Sequence, residues 1–136
     1  IREAFEKGIP LLGICLGLHL LFEGSDETPD VSGLSILKGR ILRIPDENGL
    51  KVPHVGWNSL KIEKDAALFR DIPNGSYMYF VHSYYLKTEE DIVAATTDYG
   101  VEIHASIQKT NLFACQFHPE KSGEAGLRLL QNFANL

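Results

Sequence analysis

The sequence predicts an α/β fold, and three observations carry that prediction. An apolar run at Ile9–Ile14 gives way within one or two residues to helical spacing after Cys15. The middle of the chain is rich in β-branched and aromatic runs, and the last fifteen residues place Ala125, Leu129, Leu130 and Phe133 on one face of a helix. Helices at both ends around a strand-rich middle, with no repeat, linker or low-complexity tract, read as a sheet with flanking helices.

The elements follow in order. Ile1 to Gly8 reads as the last two turns of a helix, closed by Gly8 at its C-terminal cap. Ile9-Pro10-Leu11-Leu12-Gly13-Ile14 fits a strand buried on both faces of a parallel sheet. Cys15 stands at its end, and Leu18, Leu21 and Phe22 then recur at helical intervals as far as Glu23-Gly24. The acidic stretch Ser25–Val31, with Thr28-Pro29, is a loop. Leu37–Ile44 alternates apolar and basic residues as a half-exposed strand does, and a turn follows at Pro45–Gly49. Val52–Ile62 is the next strand, and Ala66–Phe69 is a brief helical turn. Strands are expected at Ser76–His82, Ile92–Thr97, Ile103–Gln108 and Leu112–Phe117, the last two joined by a turn at Lys109–Asn111, before the final helix over Ser122–Leu136.

Composition excludes several classes of function. With 44% hydrophobic and 23% charged residues among 136, the chain lies in the ordinary globular range, and one domain is the expectation. Thirteen Lys and Arg against eighteen Asp and Glu give a net charge of −5, with the basic residues scattered, which argues against nucleic acid as a partner. The longest apolar segment, Ile9–Phe22, is interrupted by Gly13, Gly17 and His19 and falls short of the roughly 20 residues of a membrane span. Two cysteines outside any zinc spacing point to a reducing cytoplasm rather than a disulfide scaffold.

Two segments are candidates for chemistry. Gly13-Ile14-Cys15-Leu16-Gly17 has the form of a nucleophile elbow, in which a sharp strand-to-helix turn leaves no room for side chains two residues either side of the reactive one. A thiol at a helix N-terminus is expected to have a lowered pKa. A cysteine packed as a small hydrophobe between two turn glycines fits the same pattern, and the elbow alone leaves both readings open. Gln116-Phe117-His118-Pro119-Glu120 supplies a base and a carboxylate two residues apart. Pro119 keeps His118 extended, so both side chains can project to one side, Glu120 holding one ring nitrogen and leaving the other for Cys15. Cys115 lies inside a β run and is expected in the core. His19, four residues after Cys15, is either a pocket residue or a partly exposed helix histidine. His54, His82 and His104 match no compact ligand spacing, and no metal and no cofactor is expected. Trp57, beside Gly56 and Asn58, is either a core aromatic or an interface anchor.

Residues 13–17 together with 116–120 resemble the class I (triad) glutamine amidotransferases. Pro53-His54-Val55-Gly56-Trp57-Asn58, Phe80-Val81-His82-Ser83-Tyr84-Tyr85 and His118-Pro119-Glu120-Lys121-Ser122-Gly123 narrow the resemblance, over essentially the whole chain, to the glutaminase subunit of imidazole glycerol phosphate synthase. The resemblance implies a flavodoxin-like amidotransferase fold, a mixed sheet with flanking helices. It makes Cys15 the nucleophile, His118 the general acid/base and Glu120 its orienting carboxylate, with the Leu16 N–H as an oxyanion donor. Glu27 matches a position that holds the α-amino group of L-glutamine, His82, Ser83 and Tyr84 match the segment lining the glutamine site, and Trp57 and Asn58 fall in a motif exposed to the partner. That partner is a (βα)8-barrel cyclase subunit, forming a heterodimer that receives the ammonia. Two departures are visible: His19 stands where the family usually has a substrate-contacting Gln, and the first βα units have no counterpart, so residues 1–136 are expected to be the C-terminal portion of the domain. A sister amidotransferase with another acceptor, and an inactive truncated fragment or pseudoenzyme, are the alternative expectations.

Overall fold

The computed structural model describes residues 1–63 and 65–136. Its elements, in chain order, are α1 (Arg2–Glu6), β1 (Leu11–Ile14), α2 (Leu16–His19), β2 (Gly24–Ser25), β3 (Arg40–Arg43), β4 (His54–Ser59), β5 (Lys61–Ile62), β6 (Tyr77–His82), β7 (Tyr84–Lys87), β8 (Val93–Asp98), β9 (Glu102–Lys109), β10 (Leu112–Cys115) and α3 (Gly123–Ala134), with 3-10 turns at Glu47–Gly49, Ala67–Phe69 and Pro119–Lys121. Among the described residues the strands form three sheets: a five-stranded one in the order β1-β10-β9-β8-β5, a three-stranded β2-β3-β7 and a two-stranded β4-β6. The large sheet is mixed, because β1 pairs with β10 in parallel whereas the β10–β9, β9–β8 and β8–β5 pairs are antiparallel.

The β1–β10 pairing positions the site. Gly13 faces Ala114 and Ile14 faces Cys115, and the ladder extends one step to the Cys15 N–H, which donates to the Cys115 carbonyl at 2.8 Å. The ends of the two strands, and therefore Cys15 and the 116–120 segment, are held side by side. Strand alternation then sorts β10: Phe113 and Cys115, with Phe117 beyond the strand, join the core cluster around α3, while Leu112 and Ala114 face the cluster containing Leu18 and Phe22.

Several expectations are corrected. β1 is half-buried and lies at a sheet edge, so it is not a strand covered on both faces. The helix after Cys15 is a single turn. Leu18, Leu21 and Phe22 are buried as their spacing predicts, but the carbonyls of Leu20, Leu21 and Phe22 accept N–H groups from Leu34, Ser35, Ile36 and Leu37, so they cannot continue a helical ladder. Gly33 permits this close approach, since a Cβ there would collide with the Phe22 carbonyl oxygen. β7 is a further strand, which the sequence reading does not predict. At the other end of the molecule α3 buries Leu129 and presses Gly126 onto the Pro119 carbonyl, where a Cβ would collide, so the helix buttresses the 119–121 turn.

Candidate active site

Cys15 occupies the elbow between β1 and α2 with φ 53° and ψ −103°. A positive φ at a residue with a side chain costs on the order of 1–3 kcal/mol and is retained where the surrounding structure enforces it. Here β1 fixes one side and the one-turn α2 the other, and the two glycines act differently. A Cβ on Gly13 would lie 2.7 Å from the Gly17 carbonyl oxygen, whereas one on Gly17 would meet nothing within 4 Å. The expectation of crowding at both positions therefore holds only for Gly13.

The expected lowering of the thiol pKa is also overturned. Burial pushes Cys15 above its ordinary 9.0, and the carboxylates of Glu120 and Glu27 push the same way; hydrogen bonds from the Leu16 N–H and the Gln116 side chain oppose them. The physical reason is that α2 has only four residues, too few to build a substantial N-terminal dipole against desolvation. Cys115 is fully buried, and burial drives its thiol further up.

His118 and Glu120 meet at 2.6 Å, imidazole Nδ1 to carboxylate Oε1. His118 is extended, at φ −102° and ψ 97°, as Pro119 is expected to keep it, and Glu120 follows in a 3-10 turn, Pro119–Lys121. The base is anchored by its backbone: its N–H donates to the Tyr79 carbonyl at 3.0 Å, and its carbonyl accepts the Ser122 hydroxyl at 2.6 Å, whose oxygen accepts the Tyr79 N–H at 2.9 Å. Ser122 thus ties His118 to β6, a role that reading it as a helix start does not reveal. Among the described residues, the side chain in contact with the Cys15 sulfur is Gln116, whose amide nitrogen lies 3.6 Å away. The other end of that amide, Oε1, lies 2.7 Å from His19 Nε2.

His19, Leu16 and Glu27 line one pocket of about 240 Å³ beside the elbow. His82 is buried, and burial first, then the charges of His54, His19 and His118, push it down to about 4 against the Tyr84 carbonyl that raises it. The Ser83 carbonyl accepts the Ile44 N–H at 2.9 Å, and Tyr84 opens β7. Trp57 and Asn58 part company: the Trp57 ring is exposed and lies edge-on to Tyr79, while the Asn58 side chain turns inward to His54, Thr97 and Asp98. His54 and His82 touch each other, and His104 stands apart, accepting the Thr88 N–H.

The profile of the family described as glutamine amidotransferase class-I matches residues 1–136. The chain belongs to that family. The chain is 55% identical, over its whole length, to the protein named imidazole glycerol phosphate synthase subunit HisH of Moorella thermoacetica, and 51% identical to the protein of the same name from Methanocaldococcus jannaschii. It spans 64% and 68% of their respective lengths. A crystal structure described as a glutamine amidotransferase from Thermotoga maritima superposes with a TM-score of 0.66 over 98% of this chain and 50% of that one, at 21% identity, a likeness of fold. The class I fold and the mixed sheet with flanking helices are therefore as the sequence predicts. Among the described residues no helix is long and apolar enough to cross a membrane.

Proposed function

We propose that the chain carries the glutaminase chemistry of imidazole glycerol phosphate synthase, hydrolysing L-glutamine to glutamate and ammonia for a cyclase partner. The observation that carries the reading is the convergence of the strained Cys15 elbow and the 2.6 Å His118–Glu120 pair at adjacent strand ends. Relatives named for that synthase, 46–55% identical, favour this acceptor over those of sister amidotransferases.

In this mechanism Glu120 accepts the Nδ1–H of His118, which fixes the tautomer and leaves Nε2 as the base. His118 takes the thiol proton, and because burial and two carboxylates hold Cys15 protonated at rest, that transfer is the step the site must promote. The sulfur attacks the amide carbon of glutamine, the Leu16 N–H beside it supports the oxyanion, and His118 returns the proton to the departing ammonia. Water then hydrolyses the thioester. His19 and Glu27, in the pocket beside the elbow, would take the amino-acid end of the substrate. Both cysteines are free thiols, in keeping with a reducing cytoplasm.

The cyclase, a (βα)8 barrel, would dock on the outer face of the β4–β6 ribbon. There Val55, Trp57 and Tyr77 are 57%, 52% and 60% exposed, and Trp57 is registered opposite Tyr79, whose carbonyl holds the His118 N–H. One peptide therefore links the docking face to the base. A glutamine-analogue electrophile tests the chemistry: it should label Cys15, and labelling should vanish in Cys15→Ala and persist in Cys115→Ala. Labelling that follows Cys115 instead would sink the reading. Ammonia release that the cyclase leaves unchanged would sink the coupling.

A further inference from the structure

Gln116 is fully buried, one residue past β10, and its backbone N–H donates to the Ala105 carbonyl at 2.8 Å. Alternation along β10 continues the Leu112 and Ala114 face through Gln116, so its side chain projects toward α2 and not into the α3 core. There it spans the gap between two residues of the elbow: Nε2 is 3.6 Å from Cys15 Sγ, and Oε1 is 2.7 Å from His19 Nε2.

The two ends of a carboxamide are chemically opposite, so the His19 contact decides what faces the sulfur. Oε1 only accepts, hence His19 Nε2 carries a hydrogen and donates. Burial pushes His19 below 6.5 and so favours the neutral ring, which in this orientation carries its proton on Nε2, and a protonated ring would donate there as well. Either state holds Oε1 toward His19 and turns the NH2 group toward Cys15. Reversing the amide would set Oε1 against the sulfur and would require a neutral His19 with its proton on Nδ1, so that Nε2 accepts. A thiolate opposite a carbonyl oxygen is repelled, whereas one opposite an amide N–H is stabilised by a charge-assisted hydrogen bond.

We propose that Gln116 is a positioning residue of the thiolate, presenting a fixed amide N–H to Cys15 Sγ, and that His19 acts through it by locking the amide. The role rests on Cys15 being the reactive thiol, as in the function proposed above, but not on the identity of the substrate. It assigns His19 a second task besides lining the pocket. It also gives the site a donor to the anionic sulfur that is independent of His118, and this donor opposes the Glu120 and Glu27 charges that disfavour the thiolate.

The test reads the sulfur directly. The rate of Cys15 carbamidomethylation by iodoacetamide is followed by peptide mass spectrometry as a function of pH in the whole chain, with circular dichroism and melting as folding controls. Gln116→Met keeps the volume and removes the donor. Its midpoint should rise by about one pH unit, the effect of losing a hydrogen bond to a charged group, with roughly tenfold slower alkylation below the midpoint. Gln116→Glu should raise it further, because it places a carboxylate beside the sulfur. His19→Leu, which frees the amide to turn, should raise it less than Gln116→Met. A purely structural Gln116 would change the melt and leave the midpoint alone. A wild-type midpoint in a folded Gln116→Met overturns the proposal; if that variant does not fold, a wild-type midpoint in His19→Leu does so. Because alkylation needs no glutamine, a chain inactive toward glutamine would contradict the proposed function without touching this result.

Discussion

His54 Nδ1 lies 3.1 Å from His82 Nε2, and both buried rings are tied at their far ends to acceptors. The Tyr84 carbonyl, 2.9 Å from His82 Nδ1, can only accept. At the other end the Asn58 amide donates to the Asp98 carbonyl at 2.8 Å, which turns its Oδ1 toward His54 Nε2 at 3.2 Å. Filling all three contacts would take three protons on four ring nitrogens, one more than two neutral histidines carry. Burial holds both rings below 6.5, so near neutral pH one of the three contacts lacks its proton. In acid the first added proton completes the set, and the second must enter beside a charged ring.

That order gives a signed pH dependence. The unfolded chain, with histidines near 6.5, binds protons before His82 does at about 4. Stability is therefore intact above 6.5 and falls as the pH drops through that value, until His82 itself charges. The loss from His82 is on the order of 3 kcal/mol at its full extent. Urea midpoints between pH 7 and pH 4.5 should fall less in His82→Asn than in wild type. Equal falls would mean that His82 is not neutral in the fold.

The elbow glycines should respond differently to alanine. Gly13→Ala places a Cβ 2.7 Å from the backbone oxygen of Gly17, and neither backbone segment can move without distorting β1 or Cys15. A loss of about 1–3 kcal/mol in urea unfolding is expected. Gly17→Ala enters open space in a helical turn and should be neutral or stabilising by up to about 1 kcal/mol. Equal losses would show that the turn is crowded on both sides.

This contrast indicates which features local sequence carries. The elbow and the His118-Pro119-Glu120 segment are legible because each packs its chemistry into five consecutive residues. Gln116 sits inside one of those motifs, yet its role is not legible: it depends on the register that sets Ile14 against Cys115, 101 residues apart. The length of α2 is hidden for a related reason. Leu18, Leu21 and Phe22 have helical spacing, but the competitors for the carbonyls of Leu20, Leu21 and Phe22 arrive from residues 34–37. Asn58 and Trp57 are adjacent in one motif, and only the pairing of β4 with β6 determines which of them faces outward.

Glu120 offers a test of the base. Its carboxylate is partly exposed, so its contribution lies in fixing the tautomer of His118 more than in the strength of an ion pair. Glu120→Ala should lower kcat for glutamine hydrolysis roughly 10²-fold with little change in KM. Glu120→Gln, which keeps an acceptor for Nδ1–H, should recover part of that loss. A fall confined to KM would make Glu120 a binding residue.

The last prediction separates the two neighbours in the Trp57-Asn58 pair. Trp57 projects from the outer face of β4 against Tyr79 and is 52% exposed, so Trp57→Ala should leave the urea midpoint near wild type. An exposed aromatic of this kind, if it anchors the cyclase, contributes about 2 kcal/mol or more, and titration calorimetry with the cyclase should show at least about tenfold weaker binding. Asn58→Ala does the reverse. It strips the Asp98 carbonyl and the Thr97 hydroxyl of their donor and leaves the His54–His82 pair without its far acceptor, a cost of about 1–3 kcal/mol in the fold. Under conditions where it is fully folded, Asn58→Ala should bind the cyclase as wild type does. If Asn58→Ala weakens binding in the folded protein and Trp57→Ala does not, the β4–β6 face is not the docking surface, and the Tyr79 carbonyl is not the link between partner and base.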